Sequence, residues 1–182
     1  MSIQNTSERY GSLSIAMHWL MLLLIVAVYA CIELREFFPK GSDPRNALKA
    51  WHFTLGLSVF FLVWLRLLFK LTQVRPRIEP TPENWQMLLA KVVHWALYVL
   101  MFAMPILGWL ILSGEGKAIP FYGATLPALM NENKEVAEVL EEIHEIGGTL
   151  GYFLIAIHTV AALVHHYVFK DNTLLRMLPG KR

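Results

Sequence analysis

Four long apolar runs alternate with short polar stretches along the 182-residue chain. They cover about residues 13–33, 50–71, 87–113 and 143–169. Each supplies the ~20 residues that a helix needs to cross a hydrocarbon core of ~30 Å. Inside lipid, an open chain satisfies its backbone only as a helix. The pattern predicts an all-α, integral membrane four-helix bundle, read as one domain over residues 1–182.

Turn chemistry agrees with the breaks. Pro39-Lys40-Gly41-Ser42-Asp43-Pro44 separates the first two runs. Pro76, Pro80 and Pro82 punctuate the next gap, and Gly114-Glu115-Gly116 closes the third run. Pro105 is expected to kink the third helix. Residues 131–142 read as a separate, short acidic amphipathic helix at the surface. Arg9 precedes the first run, as in a signal peptide, but Tyr29 is too bulky for a cleavage site before Cys31. An uncleaved helix is expected.

Composition narrows the chemistry. Hydrophobic residues make up 55% of the chain and charged residues only 16%, against about 25% in soluble domains. The single cysteine, Cys31, excludes an internal disulfide, an all-cysteine iron–sulfur site and a structural zinc cluster. No C-x-x-C-H run is present, so any haem is held by coordination and packing.

Charge sets the expected orientation. An even number of spans puts both termini on one side. That side collects Arg9, Arg66, Lys70, Arg75, Arg77, Lys91, Lys170, Arg176, Lys181 and Arg182. The other side has Arg35, Lys40, Arg45, Lys49, Lys117 and Lys134. The positive-inside rule places both termini in the cytoplasm. Net charge is near +6 on that side and −4 on the other.

All seven histidines lie in or at the ends of the runs: His18, His52, His94, His144, His158, His165 and His166. Ionisable groups at such depth are costly and mark function. The plainer reading, an imidazole hydrogen-bonding between helices, fits one histidine better than seven. His144 and His158 are 14 residues apart. They therefore share a helix face about 21 Å apart along the axis, which suits two stacked porphyrins. His52 stands level with His144, and His18 is the natural partner of His158. Gly56, Gly148 and Ala162, each one turn beyond a histidine, leave room for a porphyrin. Spacing alone also allows His165 in place of His158. His94 has no obvious partner and reads as a polar contact or part of an inner-surface site. Zinc, which wants three or four converging ligands, fits poorly.

The residues that carry these histidines resemble the bacterial cytochrome b561 family over nearly the whole chain. The specific pieces are Ile15-Ala16-Met17-His18-Trp19, Glu33-Leu34-Arg35-Glu36-Phe37-Phe38-Pro39 and the tail. The tail runs from His165-His166-Tyr167 through Lys170-Asp171-Asn172-Thr173-Leu174-Leu175-Arg176-Met177. The resemblance implies a diheme cytochrome b of the bacterial inner membrane, with two haem b. It assigns His18 and His158 to the inner haem, and His52 and His144 to the outer haem. Members look like superoxide oxidases that pass electrons from periplasmic superoxide to ubiquinone. Similar cytochromes serve as membrane subunits of hydrogenases and formate dehydrogenases, docked to a redox partner protein. The absence of an extra domain favours a self-contained enzyme.

Secondary sites follow as expectations. Arg35, Lys40, Arg45 and Lys49 lie in the loop before His52, where Arg35 and Lys49 are candidates for steering superoxide. His165, His166 and Arg9 are candidates for a quinone site. Arg66 or Lys70 is available for haem propionates or lipid phosphate. Expected partners are ubiquinone, superoxide and membrane lipid, without nucleic acid. A non-redox transporter or channel is the remaining reading and predicts a colourless preparation.

Overall fold

The computed structural model describes residues 2–179. Lys181 and Arg182, counted above among the basic residues, lie outside the described residues. Four helices carry the architecture: α1 (Ser12–Leu34), α2 (Asp43–Thr72), α3 (Asn84–Gly114) and α4 (Lys134–Tyr167). All four are long and apolar enough to cross a membrane. Many of their large apolar side chains stay exposed, among them Leu23, Val99, Ile146 and Phe153. That is the pattern of helices solvated by lipid, where apolar burial does not drive association.

Several boundaries differ from the expectation, and α3 starts at Asn84, three residues early. α2 begins at Asp43, seven residues early, because Pro44 in its first turn starts a helix instead of belonging to a loop. Residues 134–142 are the first turns of α4 and form no separate helix. Asn133 caps that start through its Oδ1, which accepts the Val136 N–H at 3.1 Å. No proline or glycine then interrupts the helix before Gly147. α4 ends at Tyr167, two residues short of the predicted 169.

A two-stranded hairpin was not expected. β1 (Ile119–Phe121) pairs antiparallel with β2 (Ala124–Leu126), with Phe121 opposite Ala124. The two-residue turn places both Tyr122 (φ 46°) and Gly123 (φ 83°) in the left-handed region, as a type I′ turn requires.

The chain packs as two compact units, each drawing a segment from every helix. The first comprises residues 1–20, 64–99 and 150–182. Its loops are tied by polar contacts. Asn5 Nδ2 donates to the Val74 carbonyl at 3.0 Å, and Trp19 Nε1 donates to the Met177 carbonyl at 2.8 Å. Asn172 accepts the Glu79 N–H on its Oδ1 and donates its own N–H to the Glu79 carbonyl, both at 3.0 Å. Buried Arg176 donates to the Pro76 carbonyl. The family-like tail motif is thus the set of residues that fastens the tail.

The second unit comprises residues 21–63 and 100–149. Leu57, Leu112 and Ile119 form its buried apolar core, flanked by Phe53, Trp109, Phe121 and Leu126. The hairpin is held to α2 by Thr54, which donates to the Pro120 carbonyl at 3.2 Å. Ser58 and the Tyr122 hydroxyl add a 3.0 Å contact.

Candidate haem-binding centre

Each unit holds one pair of imidazoles. In the second unit, His52 of α2 faces His144 of α4 with ring centres 6.2 Å apart. In the first unit, His18 of α1 faces His158 of α4, again at 6.2 Å. The coincidence has a chemical meaning. A metal–imidazole nitrogen bond is about 2.0–2.1 Å, and each nitrogen lies about 1.1 Å from its ring centre. Two imidazoles on opposite sides of one metal therefore place their ring centres about 6.3 Å apart. Among the described residues, no three His, Cys, Asp or Glu side chains converge as a zinc-type cluster. The two pairs are the residues that could hold a haem.

The surroundings of the second pair also fit a porphyrin. A Cβ built on Gly56, one turn beyond His52, would meet nothing within 4 Å. Gly108 lies against the His144 ring, where a Cβ would stand 3.6 Å from Cε1. Gly148 was expected to make room beside His144, but a Cβ there would only touch Met104 at 3.9 Å. Gly147 is the more constrained position, since its Cβ would come within 2.6 Å of Met104 Sδ.

The two pairs differ in how their rings are held. His52 Nδ1 lies 3.0 Å from the Val28 carbonyl. A carbonyl only accepts, so Nδ1 carries the proton and Nε2 keeps its lone pair. His18 Nδ1 instead lies 3.0 Å from Arg66 Nη2.

His94 does have a neighbour: its ring centre is 5.2 Å from that of His158, edge to face. His94 therefore supports the ring of His158 instead of standing apart. His165 is committed elsewhere. Its Nδ1 lies 2.5 Å from Oδ2 of Asp171, a side chain only 2% exposed. Lys170, in the left-handed region (φ 54°), turns the chain back to bring Asp171 there. His166 rests against Tyr167, ring centres 4.7 Å apart. Arg9 lies ahead of α1, and its carbonyl accepts the Thr6 N–H at 3.0 Å.

The loop before His52 is organised around Arg45, which is buried. Its Nη1 donates to the carbonyls of Arg35 and Phe38, both at 3.0 Å. Its Nη2 meets both oxygens of Glu36 at 2.9 and 3.0 Å. Arg35 shares Glu36 at 2.9 Å, whereas Lys40 and Lys49 are exposed. Arg45 and Lys49, expected in the loop, lie on α2; Arg45 holds residues 35–38 from its first turn, and the exposed charge rests on Lys40 of the loop and Lys49 of α2.

The model of the prokaryotic cytochrome b561 family matches residues 9–180. The chain is 40% identical over 175 residues to cytochrome b561 homolog 1 of Escherichia coli K12, covering 96% of this chain and 99% of that protein. It is equally similar, at 40% over 175 residues, to the probable superoxide oxidase CybB of Yersinia pestis, with 96% and 98% covered. Cytochrome b561 homolog 2 of E. coli K12 is 30% identical over 179 residues, with 98% and 95% covered.

Proposed function

Since this chain belongs to the prokaryotic cytochrome b561 family, a group of haem b electron carriers of the bacterial inner membrane, we propose that it oxidises superoxide and reduces ubiquinone. The observation that supports its electron-carrying part is the pair of equal 6.2 Å imidazole spacings. His18 and His158 would hold one haem b, and His52 and His144 a second. A haem b held there would supply reversible one-electron transfer. The likeness to a protein named as a probable superoxide oxidase supports the donor.

The charge bias of the loops supports a topology with both termini in the cytoplasm. The His52 pair then lies toward the periplasm, on the side of Lys40 in the preceding loop and Lys49 on α2. Exposed cations there would attract a small anion such as superoxide. Arg35 contributes less, because Glu36 neutralises part of its charge.

Quinone reduction consumes protons, and His165 is the proposed carrier. Asp171 fixes one ring nitrogen, which leaves Nε2 to accept or donate a proton. His166 and Arg9 complete the proposed quinone end. The test is direct. Purified protein alone, given superoxide and a short-chain ubiquinone, should reduce the quinone faster than the uncatalysed reaction. An inert protein that copurifies with a large redox subunit would instead be a subunit of a dehydrogenase or hydrogenase complex.

A further inference from the structure

Two cations stand inside the α2 span with no carboxylate paired to them among the described residues. Arg66 and Lys70 sit one turn apart within Asp43–Thr72. None of the ion pairs among the described residues includes either one. The acids of the same unit are Glu8, Glu79, Glu83 and Asp171, and Asp171 is engaged by His165. Aromatic rings compensate in part. Lys70 Nζ lies 4.4 Å from the ring centre of Trp95 and 4.2 Å from that of Tyr98. Cations at such depth ordinarily find an anion or a ring of acceptors.

The contact between Arg66 and His18 has a direction. A guanidinium only donates, so His18 Nδ1 accepts and the ring proton sits on Nε2. A metal on His18 takes the remaining nitrogen, Nε2, and the proton then belongs on Nδ1. An N–H of Arg66 would face an N–H of His18. The hydrogen bond cannot survive ligation, and Arg66 must find another acceptor. His52 needs no such change, because its Nδ1 already donates to Val28.

We propose that Arg66, assisted by Lys70, grips a propionate carboxylate of the haem held by His18 and His158. This rests on the ligand assignment above. A propionate offers the two-oxygen acceptor that a guanidinium fork matches. A lipid phosphate offers the same oxyanion chemistry, and the experiment separates the two.

The full-length protein is purified in a phosphate-free maltoside detergent, stripped of lipid. R66Q, K70Q and R66K are compared with the wild type for haem per chain, haem transfer to apomyoglobin and midpoint potentials. In R66Q the His18–His158 haem should leave about tenfold faster, the factor that one charge-assisted hydrogen bond contributes. The other haem should stay, which reports an intact fold. K70Q should lower the potential of the same haem, since a nearby cation disfavours the ferric form. R66K should restore part of the retention, because it keeps the charge but not the fork.

Unchanged retention and potential in R66Q and K70Q overturn the proposal. So does a defect seen only in phospholipid nanodiscs and absent from lipid-free detergent, which assigns the cations to lipid phosphate. Where R66Q does not accumulate, K70Q decides, and an unchanged potential overturns the idea. H158A isolates the premise. If H158A loses one haem while R66Q and K70Q match the wild type, only the propionate contact fails. If H158A keeps both haems, the ligand assignment itself fails.

Discussion

His52 donates its Nδ1 proton to the carbonyl of Val28 across 3.0 Å. That bond fixes the tautomer, so Nε2 presents a lone pair before any metal arrives. His18 is held in the opposite tautomer by Arg66. If the proposed ligands hold, His52 already presents the lone pair that iron would take, while His18 would first have to move a proton and release Arg66. Haem should load first at the His52 pair when its supply is limiting. Low-temperature spectra of protein from haem-starved cells check this, with H144A and H158A identifying the two bands.

Gly56 opens onto space beside His52. A leucine there meets no protein atom at its Cβ, so Gly56→Leu should leave the helices assembled. It should nevertheless cut haem content from about two per chain toward one, by filling the space beside an axial ligand. Circular dichroism and haem quantitation on the same sample test both halves. Full haem content in G56L would show that the porphyrin lies elsewhere.

The His165–Asp171 contact predicts an acid limit for the tail. Burial alone would raise the Asp171 carboxyl. Hydrogen bonds from His165 and the Thr173 N–H outweigh that and hold it below the ordinary carboxylate range. Arg176 lies in the same electrostatic environment. A carboxyl lowered on folding stabilises above its unfolded value of about 3.9 and loses that contribution as pH falls through the lower folded value. Residues 170–179 should stay docked at neutral pH and become protease-sensitive only below about pH 4. Asp171→Asn should expose the tail already at neutral pH and flatten the acid response.

Much of this was legible in the residues. The four spans followed from run length, and the pairing of His18 with His158 and of His52 with His144 followed from helical spacing. The start of α4 was missed because acidic residues 135–145 mimic a surface helix, while nothing in them stops one. The hairpin was missed because Tyr122-Gly123 is a weaker turn signal than Asn-Gly, although Gly123 allowed it. The partner of His165 could have been found: Asp171 follows the helix end by one turn of chain. The environments of Arg66 and His94 needed coordinates, because both depend on side chains from other helices.

Loop charge should govern the donor reaction. Arg35→Gln with Lys49→Gln is expected to lower the superoxide rate several-fold at low salt and to flatten its salt dependence. The lysine should account for most of the change, because Arg35 is paired with Glu36. Arg45→Gln should act differently, by loosening residues 35–38 and lowering thermal stability. Stopped-flow rates across ionic strength separate these effects. A rate unmoved by the double change would remove electrostatic steering from the account.

The most direct measurement is the haem content of the purified wild-type chain by the pyridine haemochrome spectrum, set against protein by amino-acid analysis. Two imidazole pairs at axial spacing predict about two haems b per polypeptide, with one lost in H144A and the other in H158A. A colourless protein, or a single haem that survives both substitutions, would contradict the account.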